Sequence, residues 1–140
     1  MTLDDTIRIE APADVVWAVT EDIERWPEWT PTVTAARRLD GGTLGIGSRV
    51  LIKQPAQAKS EWTVTEYVRG ERFTWESRRR GLRMAASHRI WRDESGTCNT
   101  LRIEVSGVVA VLFWPVLRIA MRRALETENR GLKARCEHPC

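Results

Sequence analysis

Two histidines, three cysteines and one strand glutamate are the groups in this 140-residue chain whose types and spacing could do chemistry. His88 stands at the parity of Leu82, Met84, Ala86 and Ile90 in an alternating segment, so its ring shares a side with four apolar side chains. An imidazole there can contact a ligand or act as a general base, but with no nucleophile beside it a hydrogen-bonded core histidine is the default. Glu66 shares strand parity with Trp62 and Val64. Facing inward it would need Arg78, Arg89 or His88 as a partner, whereas a strand bulge would turn it to solvent. His138 lies between Cys136 and Cys140, but a metal site there would lack a fourth ligand, so no metal is expected. With Cys98 the cysteines make an odd number without CxxC spacing, which reads as free thiols in a reducing, cytoplasmic compartment. No GxSxG, HExxH or phosphate-cradling loop is present, and Gly45-Ile46-Gly47 is a turn pair rather than a dinucleotide fingerprint. The catalytic residues are therefore unassigned, and catalysis itself stays open.

A chain of this length forms one domain, residues 1–140, and buries roughly two-thirds of its unfolded surface, enough for a core with a pocket inside it. Hydrophobic residues make up 42% and charged residues 29%, which excludes a disordered polymer. The first ten residues contain Asp4 and Asp5 and no apolar run, so they do not read as a secretory signal, and a soluble protein is expected. Trp supplies seven of the ten aromatic residues. That suits core packing, and also a cavity with rigid walls, each carrying one N–H. Residues 1–30 hold eight acids against two arginines, while residues 69–92 hold eight arginines against two acids. No nucleic-acid-binding motif accompanies the basic segment, so no nucleic-acid partner is expected and the arginines read as a strand face balancing an acidic helix.

The elements that must position these groups follow from periodicity. Thr6–Glu10 alternates as a strand, and Ala11-Pro12-Ala13-Asp14 opens a helix striped by Val15, Val16, Trp17 and Val19. Ile23, Trp26 and Trp29 continue at helical spacing until Pro27 and Pro31, giving two short helices with a bend. A meander follows, with strands expected over residues 32–39, 45–53, 59–69, 72–77, 82–92 and 100–106, separated by glycine turns. From about Pro115 to Glu137, Leu117, Met121, Ala124, Leu125, Leu132 and Cys136 recur at helical spacing. A sheet of six to seven antiparallel strands has one apolar face and only this helix to cover it, so the class is α+β with a natural ligand space between them.

The stretch Ala11-Pro12-Ala13-Asp14-Val15-Val16-Trp17, the following Asp22-Ile23-Glu24-Arg25-Trp26-Pro27-Glu28-Trp29, and the ending Gly131-Leu132-Lys133-Ala134-Arg135-Cys136-Glu137 complete a pattern over the whole chain. It resembles the START/birch-pollen-allergen-like (SRPBCC) superfamily, and within it the polyketide cyclase/dehydrase-like group. The resemblance implies a helix-grip fold: a curved antiparallel sheet wrapped around a long C-terminal helix, with a deep apolar cavity between them. It implies no cofactor, no metal and no catalytic residue common to the superfamily. In aromatase/cyclase relatives an interior arginine and aromatic groups hold a polyketide, a role one of Arg78, Arg79 or Arg80 could take.

The expected ligand-binding residues are Trp62, Val64, Glu66, Trp75, Met84, His88, Ile90, Ile103, Phe113, Leu117 and Met121. The expected function is binding of a hydrophobic or aromatic small molecule (a lipid, quinone or polyketide-like compound). The alternatives are an aromatase/cyclase-type enzyme and a regulator that binds a partner protein. Gly107–Leu117 carries no charge and reads as a cavity lid first, a homodimer contact second and a membrane-touching patch third, with no stable membrane insertion.

Overall fold

The computed structural model describes residues 1–138. Seven strands run in chain order as β1 (Thr2–Ile9), β2 (Ala35–Arg38), β3 (Arg49–Lys53), β4 (Ser60–Val68), β5 (Arg72–Arg79), β6 (Leu82–Asp93) and β7 (Gly96–Ser106). All pair antiparallel in one sheet of order β1-β7-β6-β5-β4-β3-β2. Two short helices, α1 (Ala13–Glu21) and a 3-10 helix (Ile23–Glu28), follow β1, and one helix, α2 (Val108–Glu137), ends the chain. The expected α+β helix-grip architecture is therefore the observed one.

Local sequence explains the first turn of the fold. Pro12 is the N-cap of α1, and its carbonyl accepts the N–H groups of Val15 and Val16. Asp14 lies in the first turn, where a carboxylate favours the positive helix end. Trp26 is fully buried, and its indole N–H donates to the Thr20 carbonyl at 3.0 Å, which locks the 3-10 helix onto α1. Pro27 does not break that helix but lies inside it, since so short a 3-10 turn loses little from one missing N–H.

Along β6 and β7 the ladder is unbroken from Arg83↔Ser106 to Asp93↔Gly96, so alternation holds and Met84, His88 and Ile90 stay buried. On β4 it does not. Between Val64↔Trp75 and Glu66↔Thr74 the register shifts, so Thr65 is an extra residue. Glu66 is consequently exposed, and Tyr67 turns inward to meet Trp17 edge-on at 5.7 Å. The bulge corrects the placing of Glu66 in an inner wall.

The largest departure is at α2. The helix has 30 residues rather than about 23 and begins at Val108, seven residues before Pro115. It runs about 45 Å. Gly107 is the N-cap at φ 109°, and a Cβ there would stand 2.4 Å from the Gly81 carbonyl oxygen. Only glycine allows that approach, which lets Val109 N–H donate to Gly81 at 2.9 Å and fixes the start of α2 on the β5–β6 turn. At the other end Gly131 lets the Trp29 carbonyl sit on the helix; an added Cβ would be 2.1 Å from that oxygen. α2 packs against β1, β7 and β6, and its buried residues Ala110, Leu125, Leu132 and Cys136 join the core. Among the described residues no helix is long and apolar enough to cross a membrane.

Candidate functional site

Between the inner face of the sheet and α2 lies a cavity of about 260 Å³. Strand alternation aims its floor. β4 contributes Trp62, β5 Trp75, β6 Met84, Ala86 and His88, and β7 Leu101 and Ile103. Helical spacing aims its roof, because Leu117, Met121, Ala124, Leu125 and Glu128 fall on one stripe of α2. Trp26 closes one side, while Gln54, Gln57, Arg79 and Ala120 supply the partly exposed rim.

Trp62, Trp75, Met84, His88, Ile103, Leu117 and Met121 thus line one space. Four expected residues do not. Val64 and Ile90 are buried in the packed core beside the cavity, and Glu66 faces solvent beyond the bulge. Phe113 is exposed, at the border of the inward stripe of Ala110, Trp114 and Leu117. Of residues 107–117 only Leu117 reaches the cavity, so this segment is not its lid.

The wall has one polar pair. His88 Nε2 and Glu128 Oε1, forty residues apart in sequence, lie 3.3 Å apart. His88 is almost fully buried, stacked on Phe73 with ring centroids 4.5 Å apart and planes 13° apart. Trp26 lies tilted against it at 5.2 Å and Trp75 edge-on at 5.6 Å. The ring is held on every side, so Nε2 has a fixed direction. An ionised Glu128 selects the tautomer with the proton on Nε2 and leaves Nδ1 as an acceptor. Nδ1 has no partner among the described residues, and neither does the indole N–H of Trp62. Both atoms are sealed from solvent, and buried polar atoms left single are costly.

Sequence reasoning missed Glu128. A signal was available, since it continues the α2 stripe at positions 117, 121, 124, 125 and 132 and is the one carboxylate on it. Arg79, and not Arg78 or Arg80, reaches the cavity rim, where it also donates to the Ala58 carbonyl at 2.8 Å. Among the described residues, neither Cys98 nor Cys136 lines the cavity. Burial, with Glu137 nearby, pushes Cys136 up to about 11, which disfavours a thiolate at neutral pH. Burial and Asp93 also raise Cys98. Among the described residues no group of His, Cys, Asp and Glu is clustered to hold a metal; Cys140 lies outside them.

Residues 1–137 match the model of the family described as polyketide cyclase/dehydrase and lipid transport. No curated protein sequence matches the chain. Among solved structures, a START superfamily protein from Mycobacterium smegmatis is similar at 16% identity and a TM-score of 0.81, with 99% of each chain covered. Ginseng major latex-like protein 151 from Panax ginseng is similar at 13% identity and a TM-score of 0.80, with 97% of each chain covered. The di-domain ARO/CYC StfQ from the steffimycin biosynthetic pathway is similar at 12% identity and a TM-score of 0.77 over 97% of this chain and 50% of that one. At these identities the likeness is one of fold.

Proposed function

Because the chain belongs to the polyketide cyclase/dehydrase and lipid transport family, we propose that it holds one compact hydrophobic or aromatic molecule between sheet and α2. The observation that carries this reading is a largely apolar wall in which buried His88 meets the half-buried Glu128. Burying the ligand's apolar surface supplies affinity at about 25 cal/mol per Å², and the pair fixes its orientation. At about 260 Å³ the space is near the small end of ordinary ligand sites, roughly 300–1,000 Å³. A few fused rings or one short chain fit it better than a two-chain lipid. A phenol suits it chemically, because a hydroxyl can donate to the carboxylate of Glu128, which lines the cavity.

Two measurements test the reading. Native mass spectrometry of the protein as purified should reveal a bound small molecule. An environment-sensitive apolar dye, followed by Trp quenching, should saturate near one per chain. Ala124→Trp, which puts a ring into the cavity from α2, should abolish that binding. Non-saturable dye uptake, or uptake indifferent to Ala124→Trp, would overturn the proposal.

The same pair favours a second reading, an aromatase/cyclase-type enzyme. Glu128, on the cavity wall and held by His88 Nε2, would take a proton from a carbon next to a carbonyl. Glu128→Gln would then abolish turnover of a polyketide while leaving dye binding in place.

A further inference from the structure

We propose that the N-terminal half of α2 is a docking face for an anionic lipid surface. Val108, Val111, Leu112, Phe113, Val116 and Ile119 are each more than half exposed. At 100° per residue they cover the side of the helix turned away from the core, while Ala110, Trp114 and Leu117 face inward. A helix apolar all round is normally buried, and here half of it has no protein over it.

Charge selects the occupant. From Gly107 to Leu125 the chain contains no acid, and Arg118, Arg122 and Arg123 stand exposed immediately beyond the apolar turns. The β5–β6 turn, which touches Val108 and Val109 through Gly81, adds exposed Arg78 and Arg80. Among the described residues none of these five guanidinium groups is in an ion pair, whereas Arg83 nearby is matched by Glu76. A second copy of the chain paired across a two-fold axis would set this cationic collar against itself. Anionic headgroups would neutralise it, while the apolar side chains enter the acyl boundary and the arginine stems reach back to the phosphates. This is peripheral seating, without a spanning helix. The face shares the turn Val116–Met121 with the cavity roof, where Leu117, Ala120 and Met121 line the cavity, so docking would bring the cavity rim to the lipid.

Flotation of the full chain with vesicles tests this. Binding should occur to phosphatidylcholine mixed with phosphatidylglycerol, be absent with phosphatidylcholine alone, and fall as salt is raised. Arg118→Gln and Arg122→Gln should each weaken partition about fivefold. The double change Leu112→Ser with Val116→Ser should weaken it roughly tenfold or more. All four positions are exposed and none lines the cavity, so melting and dye binding should match the parent and report separately on the cavity. Absence of binding to both vesicles overturns the proposal, as does equal binding to both that ignores the arginine changes. A dimer that Leu112→Ser with Val116→Ser converts to monomer, without vesicle binding, overturns it in favour of a second copy.

Discussion

Asn99 of β7 and Asn129 of α2, both fully buried, share a 2.8 Å hydrogen bond that joins the sheet to the long helix. The Asn129 amide also donates to the carbonyl of Asp5 at 3.0 Å and to its carboxylate at 2.8 Å, so one side chain ties α2 to two adjacent strands. These contacts fix how far α2 slides along the sheet, and so which of its residues roof the cavity. Asn129→Ala should cost about 2–4 kcal/mol, because it leaves the Asn99 amide and Asp5 without their partner and opens a small void. Urea unfolding should show a lower midpoint at unchanged slope. An unchanged midpoint would mean the network contributes nothing.

His88→Ala should lower stability by about 1–3 kcal/mol, since Glu128 loses its partner and the Phe73 face is left open. Glu128→Gln keeps the size and a hydrogen-bonding group, so it should cost less. Thermal melts of the two variants, compared with the parent, check the order. A melt of His88→Ala identical to the parent would rule out the structural share of this residue.

Gly131→Ala should be destabilising although it lies in a helix interior. In an exposed helix that change gains about 1 kcal/mol, but here the new methyl meets the Trp29 carbonyl. Overpacking of that kind costs roughly 1–3 kcal/mol, so the sign should reverse. Chemical denaturation gives the sign directly.

The buried Cys136 thiol makes folding sensitive to alkali. Its folded value, about 11, lies above its ordinary 9, so the unfolded chain ionises first as pH rises. The stabilisation is whole below pH 9 and is lost as pH climbs through about 11. Stability against pH should fall over that window in the parent, and less steeply in Cys136→Ala. Parallel curves would show that this thiol does not contribute.

The sequence reading worked where nothing interrupts a period. Met84, His88 and Ile103 sit where alternation puts them because the β6–β7 ladder has no bulge, and Leu117 and Met121 because α2 keeps its period past Pro115. It failed where one residue changes the phase. The extra residue at Thr65 sends Glu66 outward, and no local signal in Val64-Thr65-Glu66 announces it. Pro115 misled in a different way. Proline favours a first turn, but here it lies at the eighth position of α2 on a solvent-exposed side, where the carbonyl it leaves unpaired can reach water. Glu128 went unseen because a lone carboxylate on an apolar stripe gains meaning only when the sheet brings His88 to it.

The strand order has a kinetic consequence. β2 to β7 form a meander in which every neighbour in space is a neighbour in sequence, so each hairpin can close soon after it is made. β1 has no such partner. Thr2 pairs with Glu104 and Ile9 with Thr97, so β1, made before the other strands of this sheet, must wait for the last of them. Until then Leu3 and Ile9 have no sheet to bury against, and α2, whose Lys133 caps the Arg8 carbonyl, is not yet complete. On a ribosome the N-terminal segment would therefore stay undocked through most of translation, and the docking of β1 and α2 would be the slow, final event of folding.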